Sequence, residues 1–534
     1  MKHRFLGTGV ALGLLVLTGA SVPAAQAQPA PGLPLGPAGL SETRATTTLE
    51  PGVTLTRIVR GAEAAPLPWT VEMVVPGGAG SPDPDAPATA LRDRASAEQL
   101  AAALDADGFG ARAEEVTTPA TADFAGGSLG WRVRVGSFGS NADATAERTR
   151  LRNAGYTGTA WYTGWDGESA DPGPWRVDVL TIDPSRFHGR LTGSYGPDIE
   201  ARETTTALSR AAGALAAVNA GFFVLDPKAG APGDPAGVGV YDGRLLSEPV
   251  SGRPALVVQE GGRRASVTRL DWDGKVTGPH GSLALDGINR VPNLIRNCGG
   301  TADDLPTAHP MHDLTCTDTD ELIAFTPEYA GSTPQGEGVE AVLDRRGEVV
   351  QLRSPRGGGL PAGGSSVQAT GTSAAALTDL ARPGERLRVT GTLLDGRGAH
   401  VDPSPGTSIV NGGPELVRDG RLHVTPAADG MVQPGNVNFY YGWMHKRNPR
   451  TIAGTDAQGR IVLVTADGRA TDSLGLSIPE AAAVAKSLGL RDAVNLDGGG
   501  STTMVVGQEM INHPSDATGE RPVGDALLIL PGRD

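Results

Sequence analysis

The sequence predicts an α+β protein, in which a small domain of two β-α-β halves precedes a much larger, strand-rich domain with few helices. Three observations predict it. Short alternating apolar runs recur between Asp-Gly turns over the C-terminal two-thirds. A strand-helix-strand pattern occurs twice in the N-terminal third. Gly (76) and Pro (41) are abundant and aromatic residues make up only 4%, which suits turn-rich sheets around a core of Val, Leu, Ile and Ala. The 534 residues exceed what one hydrophobic core organises, so at least two domains are expected.

At the N-terminus, Lys2, His3 and Arg4 precede an almost wholly apolar run from Phe5 to Gly19, and Ala25-Gln26-Ala27 follows with small residues at −3 and −1. This order reads as a signal peptide over 1–27, cleaved after Ala27. A membrane anchor needs about 20 apolar residues, and this run is shorter and broken by Gly7, Gly9 and Gly13. The mature chain is expected to be secreted or wall-associated, with no membrane span. Residues 28–65, rich in Pro, Ala, Gly and Thr, read as a linker.

The small domain is expected over 66–165. Trp69 to Val75 alternates as a strand, and Ser96 opens a helix as N-cap, with Gln99 completing a capping box. Gly108 ends that helix, and Ala111 to Thr117 is a second strand. The order recurs in Trp131 to Phe138, a helix from Asn141 to Ala154 closed by Gly155, and Thr159 to Thr163. Two such halves make a small ferredoxin-like sheet with helices on one face. Val133-Arg134-Val135-Gly136-Ser137-Phe138, the Ala-rich helix and Leu151-Arg-Asn-Ala-Gly-Tyr156 resemble a SPOR domain. The resemblance implies binding to peptidoglycan glycan strands stripped of stem peptides. Arg134 stands where that family usually carries Gln. Trp131, Trp161 and Tyr162 offer ring faces for sugars or for the core.

A Gly- and Asp-containing hinge from Trp165 to Pro174 leads to the large domain, expected over 175–534. Hairpin turns are predicted at Asp242-Gly243, Asp273-Gly274, Asp395-Gly396, Asp419-Gly420 and Asp467-Gly468. The clearest helix starts with Pro479 in its first turn and stops at Gly489, and a strand over Ala493 to Leu496 follows in an extensive mixed sheet.

The strongest chemical signal is Asn495-Leu496-Asp497-Gly498-Gly499-Gly500-Ser501-Thr502-Thr503-Met504. A strand sets Asn495 and Asp497 on one face. The glycines admit close approach of a ligand, and their N–H groups with the Ser501 and Thr502 hydroxyls can cradle an anion. A carboxylate beside an anion cradle suits cleavage of a sugar-phosphate bond; a plain Gly-rich turn is the alternative.

Six segments in order carry a second resemblance: Ala217-Val-Asn219-Ala-Gly-Phe-Phe223, Ile409-Val-Asn-Gly-Gly-Pro414, Arg450-Thr-Ile-Ala-Gly-Thr455, Val464-Thr-Ala-Asp467-Gly-Arg469, the Asn495 run, and Glu520-Arg521-Pro-Val523. Together they resemble the phosphodiester glycosidase family over about 175–532, with Ala220 where Gly is usual. The resemblance implies hydrolysis of a sugar-1-phosphodiester such as that of N-acetylglucosamine, in a phosphodiester-linked glycan. Asp497 is the foremost catalytic candidate, followed by Asp467 and Glu520. A pair of carboxylates would be retaining or inverting according to their separation. Asn219, Arg450, Asn495 and Arg521 are candidate substrate and phosphate contacts. His445, within the basic and aromatic stretch Trp443-Met-His-Lys-Arg447, reads as a general acid or a surface histidine.

The formal charge of −14 disfavours nucleic acid as a partner and requires a local basic cleft for an anionic substrate. Cys298 and Cys316, the only two cysteines, read as one disulfide in an exported chain, with a thiol nucleophile as the sharper alternative. No zinc spacing is present, and Asp318, Asp320 and Glu321 lack the Gly and terminal Glu of a calcium loop, so neither metal nor cofactor is expected. The rival readings are a non-catalytic polysaccharide-binding protein and a peptidoglycan hydrolase.

Overall fold

The computed structural model describes Met1 and residues 32–532, apart from 63–66, 78–88, 168–169, 301–303, 251, 306 and 330. The expected signal peptide therefore lies, but for Met1, outside the described residues. Among the described residues no helix is long and apolar enough to cross a membrane.

The small domain follows the predicted order. Its strands pair as Ala111–Thr118, Gly127–Phe138, Trp69–Met73 and Gly158–Tyr162, all antiparallel, in the ferredoxin-like arrangement. Helices Arg94–Ala106 and Asn141–Asn153 cover one face through Val71, Val133, Val135, Ala97, Leu104 and Leu151. The first helix begins earlier than expected. Asp93, not Ser96, is its N-cap, accepting from the Ser96 N–H at 2.9 Å, so Ser96 occupies the third helical position.

The central sheet of the large domain has eight antiparallel strands, in the order Glu42–Glu50, Val53–Arg60, Trp175–Ile182, Ile461–Ala466, Arg450–Asp456, Leu490–Asn495, Glu415–Arg418, Arg421–Leu422. The linker reading of 28–65 is corrected: its second half forms the first two of these strands. Val53 pairs with Ile182 and Arg60 with Trp175, so the chain enters the large sheet before building the small domain and returns afterwards beside the same strand.

One face of this sheet packs Leu180, Leu463 and Val494 against Leu256 and Val410 of a second antiparallel sheet and Val218 and Leu527 of a third, so three sheets share one core. The other face is covered by helix Ile478–Ser487, through Ala481, Ala482, Val484 and Ala485, and by Phe439, Tyr441 and Met444. Ser477 caps that helix in a complete capping box with Glu480. The sheet expected to be mixed is antiparallel throughout; a parallel pair, Gly287–Ile288 beside Leu322–Phe325, occurs in a separate five-stranded sheet.

Asp242-Gly243, Asp395-Gly396 and Asp419-Gly420 stand at hairpin turns. Asp273-Gly274 instead lies inside the long strand Arg264–Gly278, and Asp467-Gly468 leads into a loop. The expected hinge is pinned as well. Asp166 and Asp171 are both buried, and Asp171 pairs with the buried Arg447.

Candidate active site

The strand Leu490–Asn495 ends where the central and third sheets meet, and this junction positions Asp497. The Leu496 N–H donates to the Thr451 carbonyl at 2.9 Å, and the Asp497 N–H to the Ala220 carbonyl at 2.9 Å. The Asp497 carbonyl accepts from Asn219 Nδ2 at 2.8 Å, and its carboxylate Oδ1 accepts from the Gly498 N–H at 2.8 Å. Backbone and carboxylate are thus fixed from both sides. Asp497 lies at the wall of a cavity of about 370 Å³. Burial pushes its carboxyl up to about 7; the Ser501 hydroxyl and Arg521 oppose that rise, and Asp313 adds to it.

Four arginines line the same cavity, Arg296, Arg450, Arg469 and Arg521, together with Gly498, Gly499 and Gly500. Arg521 is held by Asp516, with Nε at 2.8 Å and Nη2 at 3.2 Å from its two oxygens. Arg450 is buried, donating to the carbonyls of Leu476 at 3.0 Å and Trp443 at 2.6 Å. Burial and the neighbouring Arg469 push it down to about 9. Arg469 takes a left-handed backbone (φ 56°), and its Nε donates to Asn448 Oδ1 at 3.1 Å. This is the local basic cleft that an acidic chain needs to admit an anion.

The glycines act differently from the expected cradle. The Gly498 N–H serves Asp497, the Gly499 N–H donates to the Pro449 carbonyl at 2.9 Å, and the Ser501 and Thr502 N–H groups bond back to Gly498 and Gly499. Ser501 and Thr502 are buried and do not line the cavity. What the glycine run provides is room. A Cβ at Gly499 would meet Arg469 at 3.2 Å and one at Gly500 would meet Arg521 at 2.4 Å, so the guanidinium groups approach the backbone directly.

Several sequence candidates fall elsewhere. Asp467 is buried at the end of the central-sheet strand Ile461–Ala466, accepting from the His513 N–H at 3.1 Å, and is not a lining residue. Glu520 caps the helix Thr205–Ala212, accepting from the Thr206 N–H at 2.9 Å. Asn219 does not face the cavity: its oxygen accepts from Thr451 Oγ1 at 2.7 Å and the Thr503 N–H at 3.0 Å, so it joins strands. Asn495 is likewise buried, donating to the Gly413 and Leu496 carbonyls. His445 is pushed down to about 4, chiefly by burial, and stacks on Tyr441.

Sequence reasoning missed Arg296 and Asp313. Cys298 and Cys316 form a disulfide. Its closed loop contains Asp313, which accepts from Arg296 Nη2 at 2.8 Å, and both residues line the cavity. Arg469 was visible within its motif but had no role assigned. Phe222, Phe223 and Trp443 add apolar surface, and Glu72, Thr159, Trp161 and Trp165 of the small domain complete the wall.

Comparison with known proteins assigns two regions of this α+β chain to known domain families. The phosphodiester glycosidase family model matches residues 337–530, and the SPOR domain model matches 88–160. The chain thus carries a region of the phosphodiester glycosidase family over 337–530 and, ahead of it, a SPOR domain over 88–160. It is 30% identical over 138 residues to the mouse (Mus musculus) N-acetylglucosamine-1-phosphodiester alpha-N-acetylglucosaminidase, covering 24% of this chain and 26% of that protein. The human (Homo sapiens) enzyme of that name is 28% identical over 135 residues, with the same shares. The chain thus matches about a quarter of the length of these relatives. A crystal structure from Burkholderia pseudomallei K96243, of a protein whose name proposes export and gives no activity, is 37% identical with a TM-score of 0.83, covering 95% of this chain and 99% of that one. A hypothetical protein from Synechocystis, 15% identical with a TM-score of 0.52, shares the fold, covering 91% of this chain and 76% of that one.

Proposed function

We propose that this chain is an exported hydrolase that cleaves a sugar-1-phosphodiester bond, of the N-acetylglucosamine-1-phosphodiester kind, in a cell-wall or extracellular polysaccharide. The observation that carries this reading is Asp497, with its carboxyl near 7, in a cavity lined by four arginines. Arginine side chains hold the phosphate oxygens. Ionised Asp497 takes a proton from water as that water attacks the anomeric carbon. The bond from the anomeric carbon to the phosphate oxygen breaks, and its electron pair leaves with the phosphate monoester, a group that needs little protonation. Asp313 is the second carboxylate beside this centre in place of Asp467 and Glu520. Export is supported by the N-terminal residue pattern, by the SPOR domain and by the name of the Burkholderia protein, and the SPOR domain supports binding to peptidoglycan glycan strands.

The test is release of N-acetylglucosamine from UDP-N-acetylglucosamine or from methyl N-acetylglucosamine-1-phosphate by the purified full chain. No release by the folded wild type refutes the reading. Release that persists undiminished in a folded Asp497→Asn variant refutes the role given to Asp497.

A further inference from the structure

The small domain and the large domain are joined by a buried charge network rather than by an empty hinge. The sheet face opposite the two helices presents Glu72, Arg132 and Arg134, all buried. Arg134 donates to Glu72 at 2.9 Å and to both oxygens of Asp166 at 2.6 Å. From the large domain, the Tyr441 hydroxyl donates to Glu72 at 3.0 Å and accepts from Arg132 at 3.1 Å, while Lys446 pairs with the same Glu72. The Lys446 ammonium also lies 3.7 Å from the Trp161 ring centre. Separating the domains would leave Lys446 without its carboxylate partner Glu72 and would break the Tyr441 bonds to Glu72 and Arg132, and removing one partner of a buried pair is strongly destabilising. The wall they form is therefore held in place before any ligand arrives.

That wall borders the cavity that holds Asp497, and the two ends of the cavity differ in chemistry. The Asp497 end is cationic. The small-domain end has the Thr159 hydroxyl, the Trp161 and Trp165 rings and a neutralised Glu72–Lys446 pair. Aromatic faces beside a few fixed polar groups suit a sugar ring, whose C–H faces pack on indoles while its hydroxyls bond to the polar atoms.

We infer that the small domain forms a second subsite of the active-site cavity, one that takes a neutral sugar unit adjoining the scissile phosphodiester, so that the SPOR domain takes part in substrate selection. This inference rests on the reading given under Proposed function. The sheet face opposite the two helices packs on the large domain, so the SPOR domain and the cavity form one unit.

The test uses the full chain with Thr159→Trp. Thr159 is exposed and sits on the strand Gly158–Tyr162, at the edge of its sheet, where a large aromatic residue is tolerated. The first readout is calorimetric binding of the N-acetylglucosamine tetramer, which needs no turnover. The second is KM for an oligosaccharide 1-phosphodiester against KM for a single-sugar methyl diester. The variant is expected to weaken tetramer binding at least tenfold and to raise the ratio of long-substrate to short-substrate KM at least tenfold. If Thr159→Trp does not fold, Thr159→Gln is expected to shift both in the same direction by at least threefold. Unchanged tetramer binding in a folded variant, or an unchanged KM ratio, overturns the inference. A wild type that turns over neither substrate but binds the tetramer, with binding lost in the variant, refutes the hydrolase reading and leaves the subsite standing.

Discussion

Gly500 sits directly against the Arg521–Asp516 ion pair: a Cβ at this position would stand 2.4 Å from Arg521 Nη2 and 2.3 Å from Asp516 Oδ1. No atom fits at such distances. The glycine keeps the guanidinium at the cavity wall, and the neighbouring Gly499 does the same for Arg469.

Gly500→Ala is therefore expected to displace Arg521 and to raise KM for an anionic phosphodiester at least tenfold. Overpacking of this kind costs about 1–3 kcal/mol, so Tm should fall modestly while the fold is kept. Steady-state kinetics with a melting curve decides it, and an unchanged KM would show that Arg521 does not contact substrate.

Asp497→Asn is expected to lower turnover by about 10² or more, the usual contribution of a positioned acid or base. As a general base near 7, Asp497 should make wild-type kcat/KM rise with pH through about 7. A profile that falls over that range would mean that the protonated carboxyl is the active form.

The same group gives a stability signature of opposite sense. Its carboxyl titrates near 3.8 when unfolded and about 7 when folded. The folded state therefore holds the extra proton between these values, and the associated stability, complete below 3.8, is lost as pH rises through about 7. Relative to wild type, Asp497→Asn should gain Tm on going from pH 4 to pH 8. A pH-independent Tm difference would show that the carboxyl titrates normally.

Arg469→Gln removes an exposed guanidinium at the cavity and should raise KM by about tenfold, which is about 1.4 kcal/mol and near the lower end of what hydrogen bonds to charged groups contribute. Because the side chain is exposed, Tm should change little. Added salt should narrow the gap between variant and wild type; a gap that persists at high salt would rule out an electrostatic cause.

The Cys298–Cys316 disulfide spans 18 residues, and closing a loop of that length contributes about 3 kcal/mol in the chain-entropy model. Replacing both cysteines by serine should lower Tm. It should also raise KM, because Asp313 lies within the closed loop and holds Arg296 at the cavity. A stability loss with unaltered KM would separate the loop from substrate binding.

Asp497 was legible in the sequence because a carboxylate next to a glycine run is a local pattern. Asp467 and Glu520 stand away from the cavity because their settings depend on distant partners, the His513 backbone and a helix N-terminus at Thr206, which sequence does not show. Asp313 and Arg296 carry no local motif; Asp313 reaches the cavity on the disulfide-closed loop, and Arg296, just before that loop, is held by it. The small domain was read almost complete from its alternation and helix stops. The two strands before it were not. Glu42–Glu50 is a largely exposed edge strand with little apolar alternation, and in Val53–Arg60 the buried residues switch faces, with Leu55 in one core and Ile58 in the other. Asn219 could be read as ligand or scaffold from its turn-like setting, and only its three bonds across strands decide for scaffold.

The strand Val53–Arg60 lies beside Trp175–Ile182 in the central sheet, so the small domain leaves and re-enters the large one through neighbouring strands. In topological terms it is an inserted domain, anchored at both ends. A single proteolytic nick in either connection would release nothing, since each fragment would still be hydrogen-bonded into the same sheet. A truncation beginning at Trp175 would remove two sheet strands along with the insert and bare the edge of Trp175–Ile182, a ready template for pairing with another chain. An excision that keeps both strands needs only a short turn joining Arg60 to Trp175, which already lie opposite each other in the ladder, but it leaves Lys446 without Glu72 and Arg447 without Asp171.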